Sequence, residues 1–315
     1  MSTPIRPRMG LAITTVGRPA LHRLLESVAD STLLPRVVTV ANQSGRDLQL
    51  GTSGLPFDVR VVDSTGGASR GRNDAVAAMG SSVDVIGFPN DDSTYPRTCL
   101  EQVADVFGAG PGVEGLACSL VESGRPRFVL PDDCALDRYS VWRAIEPAMF
   151  LRRETFEDVG GFREDLGTGC RTPWQSGEGT DLLLRVIEQG GVVSSRPDIA
   201  VIGQGERRDL DTPSLLAKHR GYARGTGYVY RIHPYPSWVR ARILAAPWLR
   251  LRRLDPSPRL AARLALARSV GRAEGLAGRT LSARERTWLP TASSAAPVRD
   301  PDGGHGSPGG RGPDR

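Results

Sequence analysis

The sequence is short of lysine: of its 41 Lys and Arg residues, only Lys218 is a lysine. Cysteine is limited to Cys99, Cys118, Cys134 and Cys170. None shows C-x-x-C spacing or a His at ligand distance. That excludes a zinc site and leaves ordinary thiols of a reducing compartment. Long hydrophobic runs are absent too. No stretch of about 18 uncharged apolar residues occurs, so no transmembrane helix is expected. The apolar run Leu11–Val16 is too short for a secretory core and leads straight into Arg18 and Pro19. The expected location is the cytoplasm.

The chain has 315 residues, 39% of them hydrophobic, enough for one sizeable core and one or two domains. Its formal net charge is +6 and its pI about 9.5. Nucleic acid, anionic lipid and phosphorylated substrates all suit such a balance. Much of the positive charge lies between Arg231 and Arg286, beyond the apparent core.

The first hundred residues alternate strand and helix signals. Leu11–Thr15, Arg36–Val40, Val59–Val62 and Val83–Phe88 read as strands. Pro19–Ala29 reads as a helix, with Leu21, Leu24, Leu25 and Val28 on one face; Ser69–Met79 and Pro96–Phe107 follow suit. Repeated β-α-β units imply a mostly parallel sheet covered by helices, an α/β fold. Further on come a strand at Ala148–Leu151, a helix at Arg153–Val159, a glycine-rich loop from Gly160 to Gly179, a helix from about Thr180, and a last strand at Ile199–Ile202. Ligands in such sheets sit at the carboxyl ends of strands. The loops Thr14–Arg18, Ala41–Asp47, Asp63–Arg72 and Pro89–Tyr95 are therefore the places to search.

Three constellations carry chemistry. F-P-N-D-D-S-T-Y-P, Phe88–Pro96, ends a buried strand with Asp91 and Asp92 side by side. Adjacent carboxylates suit a hard cation such as Mg²⁺ or Mn²⁺, which needs only one or two of them when a diphosphate supplies the rest. The same residues also suit a solvated turn and a helix N-cap. G-G-A-S-R-G-R-N-D, Gly66–Asp74, sets Arg70 and Arg72 at a helix start, a pattern that favours phosphate or serves as a capped helix with surface arginines. T-P-W-Q-S-G-E-G-T-D-L-L-L-R, Thr172–Arg185, places Glu178 and Asp181 at i and i+3 near a helix start, after Trp174. A carboxylate there could deprotonate a hydroxyl, and an indole could carry a sugar; simple helix capping is the alternative.

In this order, with Leu11–Ser27, Val37–Ser44 and E-T-F-E-D-V-G-G-F-R-E-D-L-G at Glu154–Gly167, the motifs resemble glycosyltransferase family 2, inverting enzymes of the GT-A (Rossmann-like) fold. The resemblance covers roughly Pro4–Gly205. It implies that Thr14, Thr15 and Arg18 line a nucleotide pocket and that Asn42 approaches the base. It implies that Arg70 or Arg72, with Asn73 at the same helix start, approaches the diphosphate. It implies that Asp91 and Asp92 serve ribose and metal (Mg or Mn), that Glu178 or Asp181 is the base, and that Trp174 lies on the acceptor side. The partners implied are a nucleoside-diphosphate sugar and a glycan or lipid-linked acceptor.

This chain departs from the family pattern in four places. Ala41 and Asn42 stand where many members carry an aspartate. Asn90 replaces the first acid of the metal motif. Gly179 replaces the acid that usually serves as base. No His follows the last strand before His219. A weakly active relative that binds nucleotide sugar or glycan is therefore a second reading, and a nucleotidyltransferase a third.

The expected organisation is a GT-A domain over 1–210, a basic helical extension over 211–286 and a disordered tail over 287–315. Gly221–His233 is similar to an acceptor-side segment of some members. Within 238–270, Trp238 and Trp248 mix with arginines, which suits either peripheral contact with an anionic membrane or a helical cap on the core. No recognition module interleaves these arginines, so nucleic acid is not an expected partner.

Overall fold

The computed structural model describes residues 6–51, 54–205, 210–249 and 257–281. The expected disordered tail, and residues 250–256 of the basic extension, lie outside the described residues.

The first half of an eight-stranded sheet is laid down by β1 (Met9–Thr15), α1 (Ala20–Ala29), β2 (Val37–Asn42), β3 (Asp58–Asp63), α2 (Ala68–Ala78), β4 (Val85–Gly87) and α3 (Cys99–Ala109). The second half comes from β5 (Val113–Glu122), β6 (Arg125–Pro126), β7 (Met149–Arg152), α4 (Arg153–Asp158), α5 (Glu178–Glu188) and β8 (Val192–Ile202). The order is β3-β2-β1-β4-β7-β5-β6, with β8 also paired to β5. Strands β3, β2, β1 and β4 are mutually parallel, as are β5 and β8; β7 and β6 run against their neighbours. This is the mostly parallel, helix-flanked α/β architecture expected.

Strands β1 and β2 are buried almost throughout, as central parallel strands covered on both faces must be. Their alternating side chains feed two cores. Leu11, Ile13, Val38 and Val40 meet Leu21, Leu24, Leu25 and Val28 of α1 and Leu100, Val103 and Phe107 of α3. Ala12, Val37 and Ala41 share the other core with Ala75, Val76 and Met79 of α2 and Leu182, Leu183 and Val186 of α5. Each large aliphatic or aromatic side chain so buried contributes about 1.5–3 kcal/mol.

Two strands exceed the sequence reading. Strand β5 alternates large with small, Leu116, Cys118 and Leu120 against Gly115, Ala117 and Ser119, so its period does not show as apolar against polar. Strand β8 begins seven residues before Ile199. Pro197 and Asp198 interrupt its pattern, and a register shift opposite Cys118 and Ser119 absorbs the proline, which cannot join a regular ladder. All four cysteines are free, and Cys99, Cys118 and Cys170 are buried.

The described part of the extension, which leaves out 250–256 and 282–286, holds α6 (Thr212–Ile232), α7 (Ser237–Leu249) and α8 (Pro258–Ala277). Asp211 caps α6 by accepting from the Ser214 N–H at 3.2 Å, and Ser257 caps α8, each followed by proline in the first turn. Helices α6 and α8 touch backbone to backbone. A Cβ on Gly227, Gly271 or Gly275 would lie 2.3, 2.4 or 2.1 Å from the carbonyl oxygen of Arg272, Arg220 or Arg224. Glu274 is buried between them and bonds both Arg220 and Arg224 at 2.6 Å. Among the described residues no helix is long and apolar enough to cross a membrane.

Candidate active site

The carboxyl ends of β1 and β4 meet. Thr14 bridges to Asn90, which brings the β1 loop against Asn90, Asp91 and Asp92. The Thr15 hydroxyl donates to Asp91 at 2.7 Å and accepts from the Gly17 N–H at 3.0 Å. The Arg18 guanidinium lies 3.1 Å from Asp91 and 3.6 Å from Asp92. Asp91 is 4% exposed. Burial lifts its carboxyl above the usual range, against the pull of Arg18 and Thr15. The Asp92 side chain is 28% exposed, and its contact with Arg18 is too long for a hydrogen bond. Thr15, Arg18, Asp91 and Asp92 thus form one cluster. Thr14 packs instead against the start of α2, where a Cβ on Gly71 would come within 2.5 Å of its methyl group.

Asn42 ends β2, in register with Asp63 at the end of β3. Its amide donates to Asp63 at 3.2 Å and to the Arg46 carbonyl at 2.8 Å, while its own carbonyl accepts from the Ser44 hydroxyl at 2.6 Å. Asn42, Arg46, Asp63, Ser64 and Asp74 line part of a hollow of about 380 Å³. Asp63 therefore supplies beside Asn42 the carboxylate that β2 lacks. A separate hollow of about 560 Å³ is lined by residues including Ser27, Asp30, Tyr95 and Arg97, none of which carries the chemistry described here.

Helix α2 sends its first residues different ways. Arg70 is half-exposed and pairs with Glu164 at 2.6 Å. Arg72 is buried. It donates to Asn90 Oδ1 at 3.2 Å, lies 3.4 Å from Glu178 and stacks on the Phe162 ring at 5.3 Å. Its Nε has no hydrogen-bond partner among the described residues. Asn73, expected near the donor, donates to the Phe162 carbonyl at 2.8 Å and accepts from the Phe162 N–H at 2.9 Å. The adjacent Arg and Asn thus clamp the turn after α4 from its ring and its backbone.

Glu178 opens α5 and is buried. Burial, with the nearby charge of Glu146 added, pushes its carboxyl up to about 7 against the opposing charge of Arg72. Glu146 belongs to a 3₁₀ turn, Glu146–Ala148, just before β7, and accepts from the Gly179 N–H at 2.9 Å.

Two of the expected site residues are engaged by protein partners. Asp181 is fully buried. Arg185 at 2.9 Å and His233 at 3.0 Å occupy its two oxygens, and His233 also reaches Glu188 at 2.9 Å, so Asp181 ties α5 to α6. Trp174 is buried and stacks on Tyr228 of α6 at 4.8 Å and 3°, so it presents no open platform.

Asp63 and Glu146 are the residues that the sequence reading passed over. Asp63 was within reach of the rule that strand ends carry the ligand. Glu146 had only its place ahead of the Ala148–Leu151 strand to mark it. Among the described residues no group of three or more His, Cys, Asp or Glu is arranged to hold a metal ion.

No protein-family model matches the chain. It resembles the mannosyltransferase PcManGT from Pyrobaculum calidifontis, solved in complex with GDP-Man and Mn²⁺, with a TM-score of 0.59 at 16% identity over 86% of this chain and 88% of that one. S. aureus TarS gives 0.54 at 14% identity over 85% of this chain, which spans only 55% of TarS. The N-terminal part of TarS, in complex with UDP-GlcNAc, gives 0.53 over 87% and 93%. At these identities the likeness shows the fold, a GT-A-like architecture shared with glycosyltransferases.

A Methanopyrus kandleri protein, provisionally described as a thymidylate synthase, is 30% identical over 159 residues, 49% of this chain and 70% of that protein. The chain belongs to one sequence family with this archaeal protein. The activity in the archaeal protein's description stays with that protein, and the match spans 49% of this chain.

Proposed function

We propose that this protein moves a sugar from a nucleoside-diphosphate sugar to a glycan or lipid-linked acceptor, by a single displacement that inverts the anomeric carbon. The observation that carries this reading is one continuous network. Arg72 joins Asn90 of the Asp91–Asp92 loop to Glu178 at the start of α5, across the carboxyl end of a GT-A-like sheet. Donor and acceptor carboxylates then stand on either side of one guanidinium. Residues 1–210 form the transferase domain, and 211–286 the acceptor-side extension. The hollow at Asn42 and Asp63 receives the nucleoside, and Thr15 and Arg18 fix Asp91 beside it.

A divalent cation fits this donor set. Arg18 already stands as a cation between Asp91 and Asp92, and Asp92 keeps oxygens free for a harder one. Two carboxylates plus diphosphate oxygens meet the needs of Mg²⁺ or Mn²⁺, with Asp92 as the principal ligand. When bound, such an ion offsets charge on the leaving diphosphate. Arg72 stands at the same junction, and one of the carboxyl groups gathered at the start of α5 takes the acceptor proton.

Peripheral membrane contact through 238–270 suits a lipid-linked acceptor. Helix α7 turns Trp238, Arg242, Trp248 and Leu249 outward, with Trp238 60% exposed. Equal binding of wild type and Trp238→Ala/Trp248→Ala to anionic vesicles would end that part of the proposal.

Calorimetric titration with UDP, GDP and dTDP, with and without Mn²⁺, tests the central reading. One nucleotide binds in a metal-dependent way, and Asp92→Asn weakens it at least tenfold, about 1.4 kcal/mol. Binding that ignores metal and Asp92→Asn overturns the assignment. Binding without transfer favours the second reading, a nucleotide-sugar-binding module, to which Asn90 and Gly179 lend support.

A further inference from the structure

Position 179 has no side chain, yet the space where one would stand is filled. A Cβ built on Gly179 would meet Glu146 Cγ and Oε1 at 2.6 Å and Cδ at 2.8 Å. The Gly179 N–H donates to the same carboxylate at 2.9 Å. A carboxyl group from the turn before β7 therefore occupies the volume that an acidic side chain on α5 would take.

The neighbouring acids are closed off. Asp181 is sealed by Arg185 and His233. Glu178 is walled by Arg72 and by the Gly167 backbone, where a Cβ would lie 2.9 Å from the Glu178 carboxyl carbon. Glu146 is only partly buried.

We propose that Glu146, and neither Glu178 nor Asp181, is the proton acceptor of the transfer reaction, a carboxylate supplied across the fold to a helix position that has no side chain. This inference rests on the glycosyltransferase reading. In the step, the acceptor O–H bond breaks and its proton passes to the Glu146 carboxylate. The acceptor oxygen bonds to the anomeric carbon, the bond from that carbon to the diphosphate oxygen breaks, and its electron pair leaves with the nucleoside diphosphate. Glu178 is then a positioning residue, holding Arg72 toward Asn90.

A purely structural role is available to Glu146, because a carboxylate bonded to an N–H in the first turn also caps a helix. The two roles separate by substitution. Glutamine keeps an oxygen for the Gly179 N–H but cannot accept the proton. The probe is release of nucleoside diphosphate from UDP-, GDP- and dTDP-sugars by the full chain, with water in the acceptor's place, alongside nucleotide affinity and melting temperature.

Glu146→Gln lowers turnover by about 10²–10⁴-fold, the range for a lost general base, with nucleotide affinity and melting temperature unchanged. Glu146→Ala is equally slow, and adding Gly179→Glu, whose side chain now has room, recovers at least tenfold. Turnover of Glu146→Gln within threefold of wild type overturns the inference and leaves Glu146 a helix cap. Failure of the double variant to regain turnover, while it folds and binds nucleotide, also overturns it. Absence of turnover by wild type with every donor sinks the glycosyltransferase reading itself, and the inference with it.

Discussion

Two regions of this molecule bury arginine against glutamate, and they do it in opposite ways. Between α6 and α8, Glu274 meets Arg220 and Arg224 at 2.6 Å each and also accepts from the Leu281 N–H at 2.8 Å. At the carboxyl end of the sheet, Glu178 has Arg72 at 3.4 Å and a second carboxylate, Glu146, close by. Burial opposes ionisation of Glu274, but the two guanidinium forks outweigh it and bring the carboxyl down to about 2. Burial lifts Glu178 to about 7, and Arg72 does not reverse it. One residue type, buried twice, is driven in opposite directions by the number and closeness of its partners. The first arrangement is complete and holds two helices together. The second leaves Arg72 Nε without a hydrogen-bond partner among the described residues.

The comparison breaks most visibly at Glu274. Glu274→Ala should destabilise the protein by about 3–5 kcal/mol in chemical denaturation, because it strands two arginines at a buried interface. Glycines sharpen the contrast. Gly275→Ala sets a methyl group against backbone that cannot move aside, with the nearest atom at 2.1 Å, and should cost about 1–3 kcal/mol. Gly179→Ala meets only the Glu146 side chain, which can swing away, and helix propensity favours alanine by about 1 kcal/mol. Its stability should change by less than about 1 kcal/mol, while turnover falls because Glu146 is displaced.

Acid and base titrations give the smallest effect, with opposite signs. The folded Glu274 carboxyl lies below its unfolded value, so its contribution is present above about pH 4.5 and is lost as the pH falls through about 2. The melting-temperature gap between wild type and Glu274→Gln should therefore close on acidification. The folded Glu178 carboxyl lies above its unfolded value, so folding favours the protonated form and its contribution is lost as pH rises from about 4.5 through 7. Between pH 5 and pH 8 the comparison with wild type should shift in favour of Glu178→Gln. A gap that stays constant with pH in either variant would show that the charge environment described for that glutamate is wrong.

What could be read from the sequence followed from local periodicity. Leu21, Leu24, Leu25 and Val28 mark α1 because they share a helical face, and all four are buried. The Phe88–Pro96 segment marks the Asp91–Asp92 loop because a short apolar strand ends in turn-forming polar residues. Strand β5 escaped because its alternation is large against small, and the first half of β8 because Pro197 disguises it. The partners of Asn73 and Trp174 were not legible for another reason: their types suit a ligand, but the structure gives each a protein partner, the Phe162 backbone and the Tyr228 ring.

The sequence by itself determined the α/β class, the positions of the first four strands along the chain and the loops that hold Thr15, Arg18, Asp91 and Asp92. Each of these depends on residues adjacent along the chain or repeated at a fixed spacing. Only the tertiary structure decided which carboxylates stay accessible. Asp181 and Glu178 lie three residues apart on one helix, yet His233, from the far end of α6, closes one and Arg72, from α2, holds the other. Glu146 fills the place left by Gly179 across a separation of 33 residues. Burial and charge pairing are set by neighbours in space, and those neighbours come from elements whose packing no local pattern encodes.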